Sequence, residues 1–174
     1  MARVGPDDYV LIQFGHNDGG PVFTDKERGS LPGTGPEAKV ETLASTGRPD
    51  TVHTYGWYLT HYVRTARTRG ATPIICSPVP RNRWVDGKAE RMKPGYAGWA
   101  EEVARSENVP FIDLNEKVAA VYDTLGEAWL WEHYFKDDHT HTTCRGAERN
   151  ARMVAEGISA MRQFPVARQV KIPD

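Results

Sequence analysis

Two short segments hold side chains whose types and spacing could carry proton transfer and charge stabilisation. Asp138-His139-Thr140-His141 sets a carboxylate three residues before an imidazole. In such a turn the carboxylate can reach back to one ring nitrogen, and the other nitrogen then faces outward as a general base. That pairing fixes the tautomer and stabilises the imidazolium that forms. Gly15-His16-Asn17-Asp18 is the second segment. Gly15 allows a tight turn, and Asn17 could offer an amide donor to a developing oxyanion. Each also has a plainer reading. Gly-x-Asn-Asp is a common turn sequence, and Asp-x-x-His can be a polar loop that leads into a helix.

The surrounding pattern indicates what must position them. Tyr9-Val-Leu-Ile-Gln-Phe14 is a β-branched and aromatic run ended by Gly15, and it reads as a strand buried on both faces. Residues 15–50 are rich in Gly, Pro, Ser, Thr and Asp and read as one long loop. Val52, Tyr55, Leu59, Tyr62, Val63 and Ala66 recur at helical spacing, with Asp50 or Thr51 as cap and Gly70 at the end. Thr72-Pro-Ile-Ile-Cys-Ser77 predicts a second buried strand, and Val109–Asp113 a third. Helices are expected around Tyr96–Ala104, from Leu114 to Leu125, and from Ala147 to Met161 with Thr142 or Thr143 as cap. Strands alternating with helices imply an α/β fold, a three-layer α/β/α sandwich on a parallel sheet. Ligands of such sheets bind beyond the strands' carboxyl ends, which puts Gly15–Asp18 and Ser77–Arg81 on one rim. The expected organisation is one domain over residues 1–163 and a surface tail over 164–174.

Composition narrows the function classes. Among 174 residues, 22 Lys and Arg face 23 Asp and Glu, so the charge gives no reason to expect nucleic acid as a partner. No apolar run approaches the roughly 20 residues of a membrane span, and the first residues do not read as a signal peptide. Two isolated cysteines, Cys76 and Cys144, make no disulfide framework and leave compartment and oligomeric state open.

Taken together the segments are more telling. Phe14-Gly-His-Asn-Asp18, His53-Thr-Tyr-Gly-Trp-Tyr58, Ser77-Pro-Val-Pro-Arg81 and Asp138-His-Thr-His141 occur in an order that resembles the SGNH hydrolases, specifically their rhamnogalacturonan acetylesterase group. The resemblance implies an SGNH (flavodoxin-like) sandwich and a carbohydrate acetylesterase that works by a Ser-His-Asp triad without cofactor or metal. It implies Asn17 as oxyanion donor, His141 as general base and Asp138 as its orienter. Gly15, His16, Arg81 and Trp84 would then contact an acetylated pectic substrate. Activity would rise with pH through the histidine range, because the base must be neutral.

In that family a strand leading to Gly-Asp-Ser and a glycine block precede the Asn turn. Residues 1–14 hold neither and contain no serine. The chain as it stands is therefore expected to be an inactive fragment without its nucleophile and first strands, leaving the Tyr9–Phe14 strand with an exposed apolar edge. Ser77, Ser30, Ser45, Ser106 and Ser159 are poor substitutes by position. Two further readings stay open. His133, Asp137, Asp138, His139 and His141 are dense enough to suggest a metal-dependent hydrolase. A carbohydrate-binding remnant without catalysis would use Trp57, Tyr58, Trp84, Trp99, Trp129 and Trp131 as sugar platforms, with Arg81 and Arg83 drawing uronate carboxylates. Of these aromatics Trp84 is the one expected to be exposed near the rim.

Overall fold

The structure, a computed structural model, describes residues 4–24 and 29–172. The expected loop over 15–50 and the expected tail each include a few residues outside that range. Contacts divide the chain into two compact units. The first comprises the chain up to Pro78 together with Lys93–Phe111, and the second Val79–Met92 together with the chain from Ile112 onward.

The first unit is organised by strands β1 (Tyr9–Ile12) and β4 (Thr72–Cys76), which run parallel with Ile12 opposite Ile75. The sheet order is β1-β4-β7, where β7 is Phe111–Ile112, and Ile75 N–H donates to the Pro110 carbonyl at 3.0 Å. Ile74 and Ile75 are both fully buried, so β4 is covered on its two faces as its unbroken apolar run predicts. β1 is not. It stands at the end of the sheet, and Leu11 and Phe14 are 41% and 49% exposed. Helices α1 (Tyr55–Thr68) and α2 (Tyr96–Ser106) supply the rest of the core, where Tyr55, Leu59, Val63, Ala100, Val103 and Ala104 pack with Ile12 and Ile75.

The expected loop over 15–50 contains regular structure. Strands β2 (Ala38–Thr42) and β3 (Pro49–His53) form an antiparallel hairpin. Val52, read as the first helical position, belongs to β3, and α1 begins three residues later. Its cap is Thr54, not Asp50 or Thr51. The Thr54 hydroxyl accepts from Trp57 N–H at 3.1 Å and donates to the Gly35 carbonyl at 2.6 Å. A fully buried threonine thereby ties the loop to the helix start.

In the second unit, β5 (Trp84–Val85) and β6 (Lys88–Ala89) form a tight hairpin around Asp86-Gly87, both at positive φ. Three helices follow: α3 (Leu114–Leu125), α4 (Glu127–His133) and α5 (Cys144–Ala160). Asp113, expected as the last strand residue, instead caps α3 by accepting from Glu116 N–H at 3.2 Å. The helix α4 was not expected. Tyr122, Leu130, Phe135 and Met153 are buried in this unit, with Tyr122 edge-on to Phe135 at 5.9 Å between ring centroids. Beyond α5 the expected irregular tail makes a short 3₁₀ turn, Pro165–Arg168.

Gly157 on α5 marks the tightest packing in this unit. A Cβ there would meet Ile112 Cγ2 at 2.6 Å, too close for any real side chain. Gly157→Ala should therefore destabilise the protein by roughly 1–3 kcal/mol, despite alanine's better helix propensity. A lowered denaturant midpoint with an unchanged slope would show it, and an unchanged or raised midpoint would refute the packing argument.

Candidate active site

Asp138 and His141 sit in a turn closed at its base. Phe135 and Thr142 form an antiparallel bridge, and Thr143 N–H donates to the Tyr134 carbonyl at 2.8 Å. The Thr143 hydroxyl donates to the His133 carbonyl at 2.9 Å and caps α5 by accepting from Gly146 N–H at 3.3 Å. Gly146 is required here, because a Cβ would lie 2.9 Å from the Tyr134 carbonyl oxygen. On the other side, Asn82 N–H donates to the His139 carbonyl at 2.8 Å. The loop is thus held at its base and along its length.

Within that frame the Asp138 carboxylate accepts three hydrogen bonds. Oδ1 takes the backbone N–H of Thr140 at 2.6 Å and of His141 at 2.7 Å, and Oδ2 takes the His141 ring at Nδ1 at 2.7 Å. With Nδ1–H committed to the carboxylate, Nε2 is the ring nitrogen left to exchange a proton. The His141 bond, then the two backbone donors, hold the Asp138 carboxyl well below the usual carboxylate range. The pair is open to water, with the side chains of His141 and Asp138 83% and 42% exposed.

The other sequence-predicted residues fall in two places. Arg81 and Trp84 lie in the same unit as the dyad, on the segment whose Asn82 holds His139. Trp84 is half-buried rather than exposed, and its Nε1–H donates to Asn82 Oδ1 at 2.8 Å. Asn82, itself buried, joins both groups and was not singled out from the sequence; one asparagine among arginines gives no local signal.

Gly15, His16 and Asn17 belong to the first unit. Gly15 has φ +132°, and a Cβ would meet Pro78 Cγ at 2.8 Å, so only glycine fits where the chain leaves β1 beside the end of β4. The turn is pinned through its carbonyls. Phe14 accepts from the Tyr55 hydroxyl at 3.1 Å, Asn17 from Gly20 N–H at 3.0 Å and Asp18 from Ser30 N–H at 3.0 Å. Asn17 itself is exposed and His16 half-buried. Asp18 follows directly in the same turn. It lines a pocket of about 320 Å³ with Phe14, Ser30, Tyr55 and Tyr62, and burial raises its carboxyl above the ordinary range. The Tyr55-Gly-Trp-Tyr58 segment has a structural account. Tyr55 holds Phe14, Gly56 lies too close to Thr34 for any side chain, and the Tyr58 hydroxyl accepts from His53 N–H at 3.2 Å.

The alternative readings also meet geometry. Trp57 stacks on the His53 ring at 3.8 Å and runs nearly parallel to the His61 ring at 5.6 Å, and it stays partly exposed. Trp129 stacks on His133 at 4.1 Å and carries the Arg145 guanidinium at 5.1 Å. His133 Nδ1–H donates to the Trp129 carbonyl at 2.9 Å. Among the described residues, no three of His, Cys, Asp or Glu converge as metal ligands would. Ser77 and Ser30 are buried.

The chain is 34% identical over 140 residues to a rhamnogalacturonan acetylesterase of Emericella nidulans, covering 80% of the chain and 56% of that protein. It is 32% identical over 162 residues to the probable rhamnogalacturonan acetylesterase YesY of Bacillus subtilis, covering 91% and 65%. The rhamnogalacturonan acetylesterase RhgT of the same organism is 32% identical over 168 residues, covering 88% and 62%. The chain thus spans somewhat over half the length of these relatives. A crystal structure of the YXIM protein of Bacillus subtilis superposes with a TM-score of 0.66 at 19% identity, over 90% of this chain and 38% of that one, a likeness of fold that fits the three-layer α/β/α class. Residues 1–149 match the GDSL-like lipase/acylhydrolase family, and the chain belongs to that family.

Proposed function

We propose that this chain carries the acid–base half of a carbohydrate acetylesterase that removes acetyl groups from an acetylated pectic polysaccharide or oligosaccharide. The observation that carries the reading is the 2.7 Å bond from His141 Nδ1 to Asp138, on a carboxylate already fixed by two backbone donors. In this role His141 Nε2 takes the proton of a serine hydroxyl as it attacks the acetyl carbonyl, and returns it to the departing sugar oxygen. Water then releases acetate by the same path. Asn17 donates to the oxyanion of the tetrahedral intermediate. Arg81 and Trp84 border the substrate beside the dyad. The names of the relatives support the ester and the glycan; among the described residues the metal-dependent reading has no convergent ligand set to stand on.

The test uses the 174-residue chain alone and the same chain joined to an upstream segment bearing Gly-Asp-Ser. Acetate release from acetylated rhamnogalacturonan is expected from the joined protein. His141→Ala and Asp138→Asn should each lower it on the order of 10³- to 10⁴-fold, Asp138→Asn by leaving the imidazole in the wrong tautomer. Full activity in either variant would end this assignment.

A pH dependence of stability follows from Asp138. Its carboxyl is depressed in the folded chain, so its contribution is complete above the unfolded carboxylate value of about 3.9 and is lost as pH falls through the folded value. Denaturant midpoints of the wild type should therefore drop more steeply below about pH 4 than those of Asp138→Asn. Parallel acid limbs for the two proteins would contradict the hydrogen-bond pattern.

A further inference from the structure

One face of α5 carries three arginines that the acid–base chemistry does not use. Arg145, Arg149 and Arg152 stand at i, i+4 and i+7, so they share one stripe about 10 Å long. With Tyr134, Ala151 and Ala155 they line a groove of about 610 Å³. The arginines are not equivalent. Arg152 Nε–H donates to Glu156 at 3.3 Å, and the Arg145 guanidinium lies over the Trp129 ring. Arg149 Nε is shut off from solvent and has no hydrogen-bond partner among the described residues. Glu148 is the one carboxylate in the lining, so cations outnumber anions there.

That Nε is as closed to a ligand as it is to water, but the outer nitrogens of an arginine in the lining can take a planar carboxylate, a guanidinium's best-matched acceptor, by two parallel bonds. The alanine methyls and the Tyr134 ring give the same groove an apolar floor, which suits the face of a sugar ring. We propose that this groove binds a uronic acid residue of an acidic glycan, its carboxylate on Arg149 and its ring over Tyr134 and the alanines. The choice of a glycan over other carboxylates rests on the acetylesterase reading; the choice of an anion rests on the arginines alone. The groove would hold a stretch of the polysaccharide beyond the sugar that carries the ester, since Arg145 follows His141 by only four residues in the chain.

The experiment titrates the 174-residue chain by calorimetry with unacetylated oligogalacturonate and, in parallel, with a neutral galactan oligosaccharide of equal length. The acidic ligand should bind at least ten times more tightly than the neutral one, and more weakly as salt is added. Arg149→Ala should lower its affinity at least tenfold, Arg149→Lys less, and Glu148→Gln should leave it equal or tighter. Arg105→Ala, on the exposed face of α2, removes the same charge elsewhere and should change nothing. Circular dichroism establishes that each variant is folded, and Arg145→Ala replaces Arg149→Ala if the latter is not. Equal binding of the neutral ligand, no binding at all, or full affinity in folded Arg149→Ala would each overturn the proposal. The ligands carry no acetyl ester, so the outcome is independent of acetate release. Absence of oligogalacturonate binding with His141-dependent hydrolysis intact in the joined protein would sink this proposal alone, and binding without hydrolysis would sink the esterase reading alone.

Discussion

The Asp138 carboxylate is the point on which the dyad's geometry depends. One oxygen is saturated by the peptide N–H groups of residues 140 and 141, and the other holds the imidazole. The same anion therefore fixes both the backbone of His141 and its ring. That is preorganisation by a local turn, and it needs the turn to be closed. The closing elements are the Phe135–Thr142 bridge, the Thr143 cap and the Asn82 contact to His139. Each is a backbone or capping interaction worth about 1 kcal/mol by itself. Their value lies in converging on the six residues between Phe135 and Thr142.

What was legible in the sequence is what local chemistry alone determines. The β4 run, the spacing of α5 and the Asp-x-x-His turn each declare themselves within a few residues. The hairpin β2–β3 did not, because β2 is exposed at every position and shows no alternation to read. A buried valine two turns before Leu59 and three before Val63 fits a helical face as well as it fits β3. The hairpin β5–β6 has only two residues per strand, and its one signal was Asp86-Gly87, a pair suited to the positive φ of a type I′ turn. The seven-residue α4 is too short for a period, and Gly126 parts it from α3.

The aromatic residues show a different limit. Trp57 and Trp129 look like sugar platforms in a list of residues, yet each is stacked against a histidine one helical turn away. His53 and Trp57 meet across the β3–α1 junction, so their contact depends on the placement of Thr54, which the sequence misassigned. An error of three residues at a cap therefore changes the reading of a binding surface. The same junction places Tyr55 against the Phe14 carbonyl, so the helix start that carries Trp57 also pins the Asn17 turn.

The exposure of the dyad decides what it can contribute. A solvent-exposed ion pair adds little to stability, because water screens the charges and both side chains must be ordered. Orientation is a different matter, since it depends on directional bonds rather than on net attraction. Two of the three donors to Asp138 are backbone groups, which need no protonation and lose no rotamer freedom. Together with the His141 ring bond, the larger cause, they keep the carboxyl depressed, so Asp138 stays anionic at every pH where a histidine can serve as a neutral base. The group that sets the tautomer therefore does not titrate in the range where the base must work, and a single turn can fix both the direction and the charge of the pair.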